Sequence, residues 1–417
     1  MRVLDDLEST TSTDGRLTDC IGIGVIARLI NHDLVDEVVR DADRKEKRSR
    51  LLPARVMVYY VLALCLFFGD SYDEVMRHLA RGLRGLGSWR DQWVIPTTGA
   101  ISKARMRLGE EPLRLLFDRI CTPMAQPGTR GSWLRGWRLM AIDGVIFDLQ
   151  DTEDNEAEFG RCGGSNPAPF PQARVAALVE CGTHAVVAAR IGPWKQQERD
   201  QVRLLLPAFE PGMLITADQG FYSYDLFTMV AETGADLLWR VSTSLDLPVV
   251  RVLPDGSYVS HIDDPDRKRR NRENTRHGLA TRVEVNSVPV RVVEYVITNR
   301  DGRDESYRLV TTILGHVDVL AEDLAAVYHE RWEIESTFDE IKTHQRAGSG
   351  VLLRSKHPVT VRQEMWALFL THYAIRCLMH EAAEHIDIDP DRLSFTRSFR
   401  AVRRQVIDQA AFSPRKT

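Results

Sequence analysis

The sequence predicts an α/β protein, with a core of strands and helices interrupted by a strand-rich insertion and preceded by an all-helical region. Three observations carry this reading. Apolar residues recur with helical spacing through the first 130 residues. From Trp137 the pattern changes to short apolar or alternating runs with turn residues between them. Beyond residue 320 helical spacing returns. The order strand, hairpin, helix, strand, β-rich insert, helix is that of an interrupted α/β core.

In chain order, residues 1–130 form the helical N-terminal region, with periodic segments at 21–39, 52–68, 72–83 and 98–120. Gly82, Gly85, Gly87 and Pro96 separate the last two, and Pro123, Pro127, Gly128 and Gly131 mark the boundary. Residues 131–236 are the first part of the core. They hold a strand at 138–149, a hairpin (173–181 and 185–191) around Gly182-Thr183-His184, a helix at 196–209 and a short apolar strand at 212–217. Residues 237–318 are the β-rich insertion, with an Asp255-Gly256 turn and alternation over 282–298. Residues 319–385 complete the core with helical segments at 321–342 and 360–384, and residues 386–417 form a basic tail.

At 417 residues the chain is long enough for two or three packed units, and 43% hydrophobic with 27% charged residues is a globular composition. The net charge of 55 − 59 = −4 excludes a protein that binds polyanions through bulk charge, so any nucleic-acid surface must be local. Lys and Arg are dense in 267–282 and 392–417, whereas 143–160 carries acids and neither Lys nor Arg. The six cysteines have no zinc-ligand or disulfide-framework spacing. The polar start and the absence of a long apolar run predict a cytosolic protein.

Three carboxylates stand out. Asp143 interrupts the apolar run Leu139-Met140-Ala141-Ile142, where a charge is costly unless it is paired or binds a cation. Asp218 follows Leu214-Ile215-Thr216-Ala217 at a strand's carboxyl end, where α/β folds place their sites. At about 100° per residue, Tyr328, Arg331, Glu335 and Lys342 fall in a stripe roughly 60° wide beside the apolar Val327, Ile334, Phe338 and Ile341. Each has a simpler alternative: a turn at Asp143-Gly144, a helix N-cap at Asp218, and a solvated face with an Arg331–Glu335 pair. Together the carboxylates are a hard oxygen set for two Mg²⁺ or Mn²⁺ ions and for displacement at phosphorus.

The spacing Tyr328-x2-Arg331-x3-Glu335-x6-Lys342 resembles the YREK signature of DDE transposases of the insertion sequence 4 family. Asp143-Gly144 and Asp218-Gln219-Gly220-Phe221-Tyr222 are similar to its two aspartate blocks. Leu52-Pro53-Ala54-Arg55, Asp70-Ser71-Tyr72 and the stretch from Leu353-Arg354-Ser355-Lys356 to Arg376 also look alike, so the resemblance spans residues 20–400. It implies a ribonuclease-H-like catalytic core in which Asp143, Asp218 and Glu335 hold metal while Tyr328, Arg331 and Lys342 contact transposon-end phosphates. The implied function is to bind terminal inverted repeats, hydrolyse a phosphodiester to free a 3′-OH, and join that end to target DNA. A homodimer on double-stranded DNA is expected, because two ends must be held. The family's best-known members also hold a flipped base on an aromatic side chain, for which Trp239 and Tyr307 are the candidates, each with a strand-core alternative.

Further DNA contacts are expected from Lys103, Arg105 and Arg107, as a recognition helix or else a solvated face, and from Arg354 and Lys356 beyond Lys342. The run Arg267-Lys268-Arg269-Arg270-Asn271-Arg272, placed between strands, suits a DNA backbone. The acids of 151–158 are read as a solvated loop, with assistance to metal as the alternative. Two other functions share these residues: a metal-dependent nuclease without strand joining, and a domesticated DNA-binding protein. The second gives no reason for three intact carboxylates.

Overall fold

A computed structural model of the chain describes residues 24–47, 50–84, 95–163, 167–276, 286–298, 302–346, 348 and 350–408. The predicted features at Met1 to Thr18, Cys20, Gly85, Gly87, 282–285 and the end of the basic tail lie outside them. The chain divides into two compact units, one of Met1–Ile120, Gln363–Thr371 and Arg397–Thr417, the other of Cys121–Arg362 and His372–Thr396.

The first unit is helical. Its N-terminal part holds α1 (His32–Asp41), α2 (Ala54–Leu66), α3 (Tyr72–Arg84), α4 (Thr98–Leu108) and α5 (Glu111–Ile120). Helix α1 starts where Asn31 accepts the Leu34 N–H at 2.9 Å, and α4 where Thr97 accepts that of Ala100 at 3.2 Å. The longest apolar run of the sequence is α2. Every described side chain of it except Arg55 is buried, as a helix apolar on all sides must be when it forms the middle of a bundle. Its polar atoms find partners inside: Tyr59 Oη donates to the Ile30 carbonyl at 3.0 Å.

The second unit is built on one sheet. Its strands are β1 (Trp133–Leu134), β2 (Trp137–Asp148), β3 (Gln172–Glu180), β4 (Ala185–Pro193), β5 (Met213–Ala217), β6 (Asp236–Arg240), β7 (Arg251–Val252), β8 (Tyr258–Asp263), β9 (Ser287–Thr298) and β10 (Asp304–Thr311). The sheet order is β4-β3-β2-β5-β6-β10-β9-β8-β7. Strands β2, β3 and β4 are antiparallel neighbours, while β5 runs parallel to β2, and β6 parallel to β5. That antiparallel meander followed by two parallel strands is the ribonuclease-H-like core the resemblance implies. The insertion is present between β6 and the signature helix. Its strands extend the core sheet, since β10 pairs antiparallel with β6.

Helices α6 (Glu153–Phe159), α7 (Glu198–Arg203), α8 (Tyr224–Ala231), α9 (Pro265–Arg276), α10 (Ala321–Glu330), α11 (Trp332–Asp339), α12 (Pro358–His385) and α13 (Phe395–Asp408) complete the chain. One expectation needs correction here: most of the acids of 151–158, read as a solvated loop, lie on helix α6. The basic run at 267–272 lies between strands as expected, on α9. Asp264 Oδ1 accepts the N–H groups of Asp266 and Arg267, and Pro265 occupies the first turn, a helix start legible as Asp264-Pro265. The basic tail is also ordered in part: Phe395, Phe399, Val402 and Val406 recur at helical spacing and are buried on α13. Among the described residues, no helix is long and apolar enough to cross a membrane.

Candidate active site

Register places the two aspartates. The last paired residues of β2 and β5 are Ile142 and Ala217, so Asp143 and Asp218 follow side by side at the carboxyl edge of β5. Strand β2 continues past this point with β3 alone, which leaves the Asp143 carboxylate half-buried instead of sealed in the sheet. Asp143 Oδ1 accepts the Gly144 N–H at 2.7 Å. Burial raises its carboxyl to about 6, against the opposing pull of that N–H and of Arg331, with Glu335 and Glu198 adding to the rise. Gly144 is a matter of space: a Cβ there would come within 2.7 Å of the Glu198 carboxylate. Asp218 precedes a short 3₁₀ turn without capping it by its side chain, so the N-cap alternative fails. It instead accepts a long bond of 3.5 Å from Tyr328 Oη.

The signature segment departs from the single regular helix assumed above. Helix α10 ends at Glu330, and Arg331 N–H donates to Tyr328 C=O at 3.2 Å, a tightened turn before α11 begins. After Asp339 the chain widens into a π turn, Glu340–His344, closed by Gln345 N–H on Glu340 C=O at 2.8 Å. Such turns insert a residue into the helical register and recur at functional sites. The predicted stripe is therefore split. Tyr328 and Arg331 turn inward and are buried, while Glu335 is exposed and Lys342 is half-buried. Of the apolar partners, Ile334, Phe338 and Ile341 are buried and Val327 only half-buried.

Arg331 links the carboxylates. Its Nη1 lies 3.5 Å from Asp143 Oδ2 and its Nη2 3.5 Å from Glu335 Oε1, while its buried Nε makes no hydrogen bond. The guanidinium also faces the rings of Tyr328 and Trp332, at 5.9 and 5.1 Å. Burial pushes the Tyr328 hydroxyl well above its ordinary value. Asp143, Glu335 and Lys342 line one cavity of about 470 Å³, together with Asp148, Asp339 and Arg346. Burial and then the charge of Arg346 lower the Lys342 ammonium from its usual value. Asp218 does not line that cavity; it joins the group through Tyr328. With Arg331 between them, the three carboxylates do not bring their oxygens within 4.8 Å of one another.

Other expected contacts fare unevenly. Lys103 is exposed and Arg107 half-buried, but Arg105 is a correction: it is buried, donating to Gln363 Oε1 at 3.2 Å and to Tyr72 Oη at 2.7 Å, so it holds α4 in the bundle. Lys356 is exposed and Arg354 half-buried. Acids of the 151–158 stretch are partly paired, Asp151 and Glu156 with Arg161 and Glu158 with Arg362. Trp239 and Tyr307 are buried among Phe227 and Tyr295 respectively, and Trp332 is the large aromatic exposed beside Arg331. Trp332, Glu198 and Arg346 escaped the sequence reading, because a lone Trp, Glu or Arg has no pattern until the fold places it.

Comparison with known proteins identifies the family. The insertion element 4 transposase N-terminal family matches residues 21–118, and the transposase DDE domain family matches residues 136–373. The chain is 27% identical over 390 residues to transposase InsG for insertion sequence element IS4 of Escherichia coli K12, covering 92% of this chain and 83% of that protein. A solved structure, the cryo-EM piggyBac transposase synaptic complex with hairpin DNA, is similar at TM-score 0.48 and 11% identity over 94% of this chain and 82% of that one.

Proposed function

Because the chain belongs to the transposase DDE domain family, we propose that this DNA transposase works through Asp143, Asp218 and Glu335 as the set that holds its divalent metal, with Mg²⁺ the natural ion. The observation that carries this reading is the shared cavity of Asp143, Glu335 and Lys342, with Asp218 ending the strand beside Asp143.

The donor set fits the ion. All three are hard carboxylate oxygens with no imidazole or thiolate among them, and the buried Arg331 is the cation that balances two of them. When bound, divalent metal stabilises charge at the phosphorus under attack and lowers the pKa of water. The chain's own groups supply the rest. Lys342, on the cavity wall, neutralises a phosphate oxygen. Arg331 has two roles open to its five donors: countercharge to Asp143 and Glu335 in the free protein, and phosphate ligand once those carboxylates take metal. Tyr328 orients Asp218 by its hydroxyl.

The substrate of this reading is double-stranded DNA: the inverted repeats of the element first, target DNA second. The same cavity serves hydrolysis and then attack by the freed 3′-OH. Lys103, Arg107, Arg354, Lys356 and the exposed α9 are the further backbone contacts, and a homodimer holding two ends in the cytosol is the working assembly. Asp143→Asn, Asp218→Asn and Glu335→Gln should each lower end cleavage at least about a thousandfold, about 4 kcal/mol in the barrier, with repeat binding retained in a gel shift. Cleavage near the parent rate by any one of them removes that residue from the set. Cleavage without strand joining by the parent protein would favour the nuclease reading.

A further inference from the structure

Glu333 lies two residues before Glu335, about 200° around the helix, so its carboxylate leaves on the opposite face. There it meets the β3–β4 hairpin turn and the short turn Pro390–Arg392. We infer that His184, Glu333 and Asp391 form a second metal site, separate from the three carboxylates above and suited to a zinc-class ion. Among the described residues, this is the one group of three His, Cys, Asp or Glu side chains whose ligand atoms all lie within 4.8 Å of one another. His184 Nε2 is 3.0 Å from Asp391 Oδ1 and 3.7 Å from Glu333 Oε2. Donors around a tetrahedral ion at zinc distances stand roughly 3.4 Å apart.

Independent features point the same way. His184 is 5% exposed, and its buried Nε2, aimed at the two carboxylates, makes no hydrogen bond. It is held there by a left-handed backbone, φ +57°, which is strained for a non-glycine residue. Glu333 is fixed by the Gly182 N–H, which donates to its Oε2. Arg376 comes within 3.7 Å of Asp391 and binds Glu340, which also engages His372. Glu333 and Asp391 face the same imidazole nitrogen from two elements. Imidazole in the set favours zinc over Mg²⁺, and Asp391, one-third exposed, gives entry from solvent.

The ring's other nitrogen decides the protonation. Nδ1 touches Arg376 Nη2 and lies 3.7 Å from Glu340 Oε1. Donation by Arg376 puts the ring hydrogen on Nε2; donation from Nδ1 to Glu340 frees Nε2 as a ligand, the carboxylate–histidine–metal arrangement. Zinc binding selects the second. The ion ties the hairpin, α11 and the 390–392 turn together behind Glu335, a structural role.

The full chain carrying Asp143→Asn, Asp218→Asn and Glu335→Gln removes the first set from the measurement. After dialysis against chelator and back-titration with zinc, one ion per chain should remain by elemental analysis, with a higher melting temperature and a histidine ¹⁵N signal in the Nδ1-protonated form. Adding Asp391→Asn, an isosteric change in the short 3₁₀ turn Pro390–Arg392, should weaken zinc binding by at least about tenfold, and His184→Gln likewise. No zinc retained, an unchanged histidine signal, or equal retention after Asp391→Asn would overturn the site. Should His184→Gln fail to fold, Asp391→Asn decides the question alone.

Discussion

On one side of the signature helix Glu335 is about half exposed and stands 3.5 Å from a shared Arg331, while Asp143 carries a carboxyl raised to about 6. On the other side Glu340 is buried, accepts the Arg376 Nε–H at 2.9 Å and has His372 Nε2 at 2.8 Å. Burial works against its charge, yet the neighbouring His184 ring, the hydrogen bond of His372 and the charge of Arg376 hold its carboxyl far below the usual range. The two faces use the same residue types. They differ in how completely Glu335 and Glu340 are satisfied: Glu335 shares one guanidinium and stands about half exposed, whereas Glu340 is enclosed by its partners and anchors the helix.

The comparison can be tested from its strongest arm downward. Glu340→Ala leaves Arg376 buried without its carboxylate and should cost about 3–5 kcal/mol in urea unfolding; a loss below about 1 kcal/mol would mean that this face is not the anchor. On the cavity face the sign reverses. The raised Asp143 carboxyl means that the folded chain keeps a proton the unfolded chain has released between pH 3.8 and about 6, so its contribution falls as pH rises through that window. In chelator, Asp143→Asn should therefore be more stable than the parent at pH 8, by about 2 kcal/mol for this partly exposed group, with the gain vanishing near pH 4. A variant destabilised at pH 8 would break the contrast.

Smaller effects sharpen it. Lys342→Ala should slow end cleavage or joining about tenfold, equivalent to about 1.4 kcal/mol, and reduce the salt dependence of end binding by roughly one phosphate contact. Normal processing with an unaltered salt slope would assign Lys342 to the cavity wall alone. Smallest of all, Glu335→Gln should change stability by no more than about 0.5 kcal/mol, since Glu335 is about half exposed and Arg331 keeps Asp143 as a partner; a large loss would move Glu335 to the anchoring side.

Much of this was legible in residue pattern. The apolar runs around Asp143 and before Asp218 predicted one carboxylate within a strand and one just after a strand, as β2 and β5 have them, and the hairpin about Gly182-Thr183-His184 lies where its turn residues put it. Arg105 was misread because it alternates with Lys103 and Arg107 in a basic stretch that resembles a solvated face; only its partners Tyr72 and Gln363, the latter 258 positions away, show why it is buried. The helix α9 was missed because the helical wheel seeks an apolar stripe, and α9 buries no side chain.

The sequence by itself determined the order of elements, the three carboxylates and the spacing of the signature, because apolar periodicity and turn residues act over short stretches of chain. Tertiary structure alone decided which way the signature residues face. A tightened turn at Arg331 and a π turn at Glu340 interrupt the regular register between Tyr328 and Lys342, with Tyr328 and Arg331 buried and Glu335 and Lys342 at the cavity. No local rule predicts those turns. The register of a helix changes where distant groups, here Asp143 for Arg331 and Arg376 for Glu340, hold its side chains more strongly than one regular hydrogen bond holds its backbone.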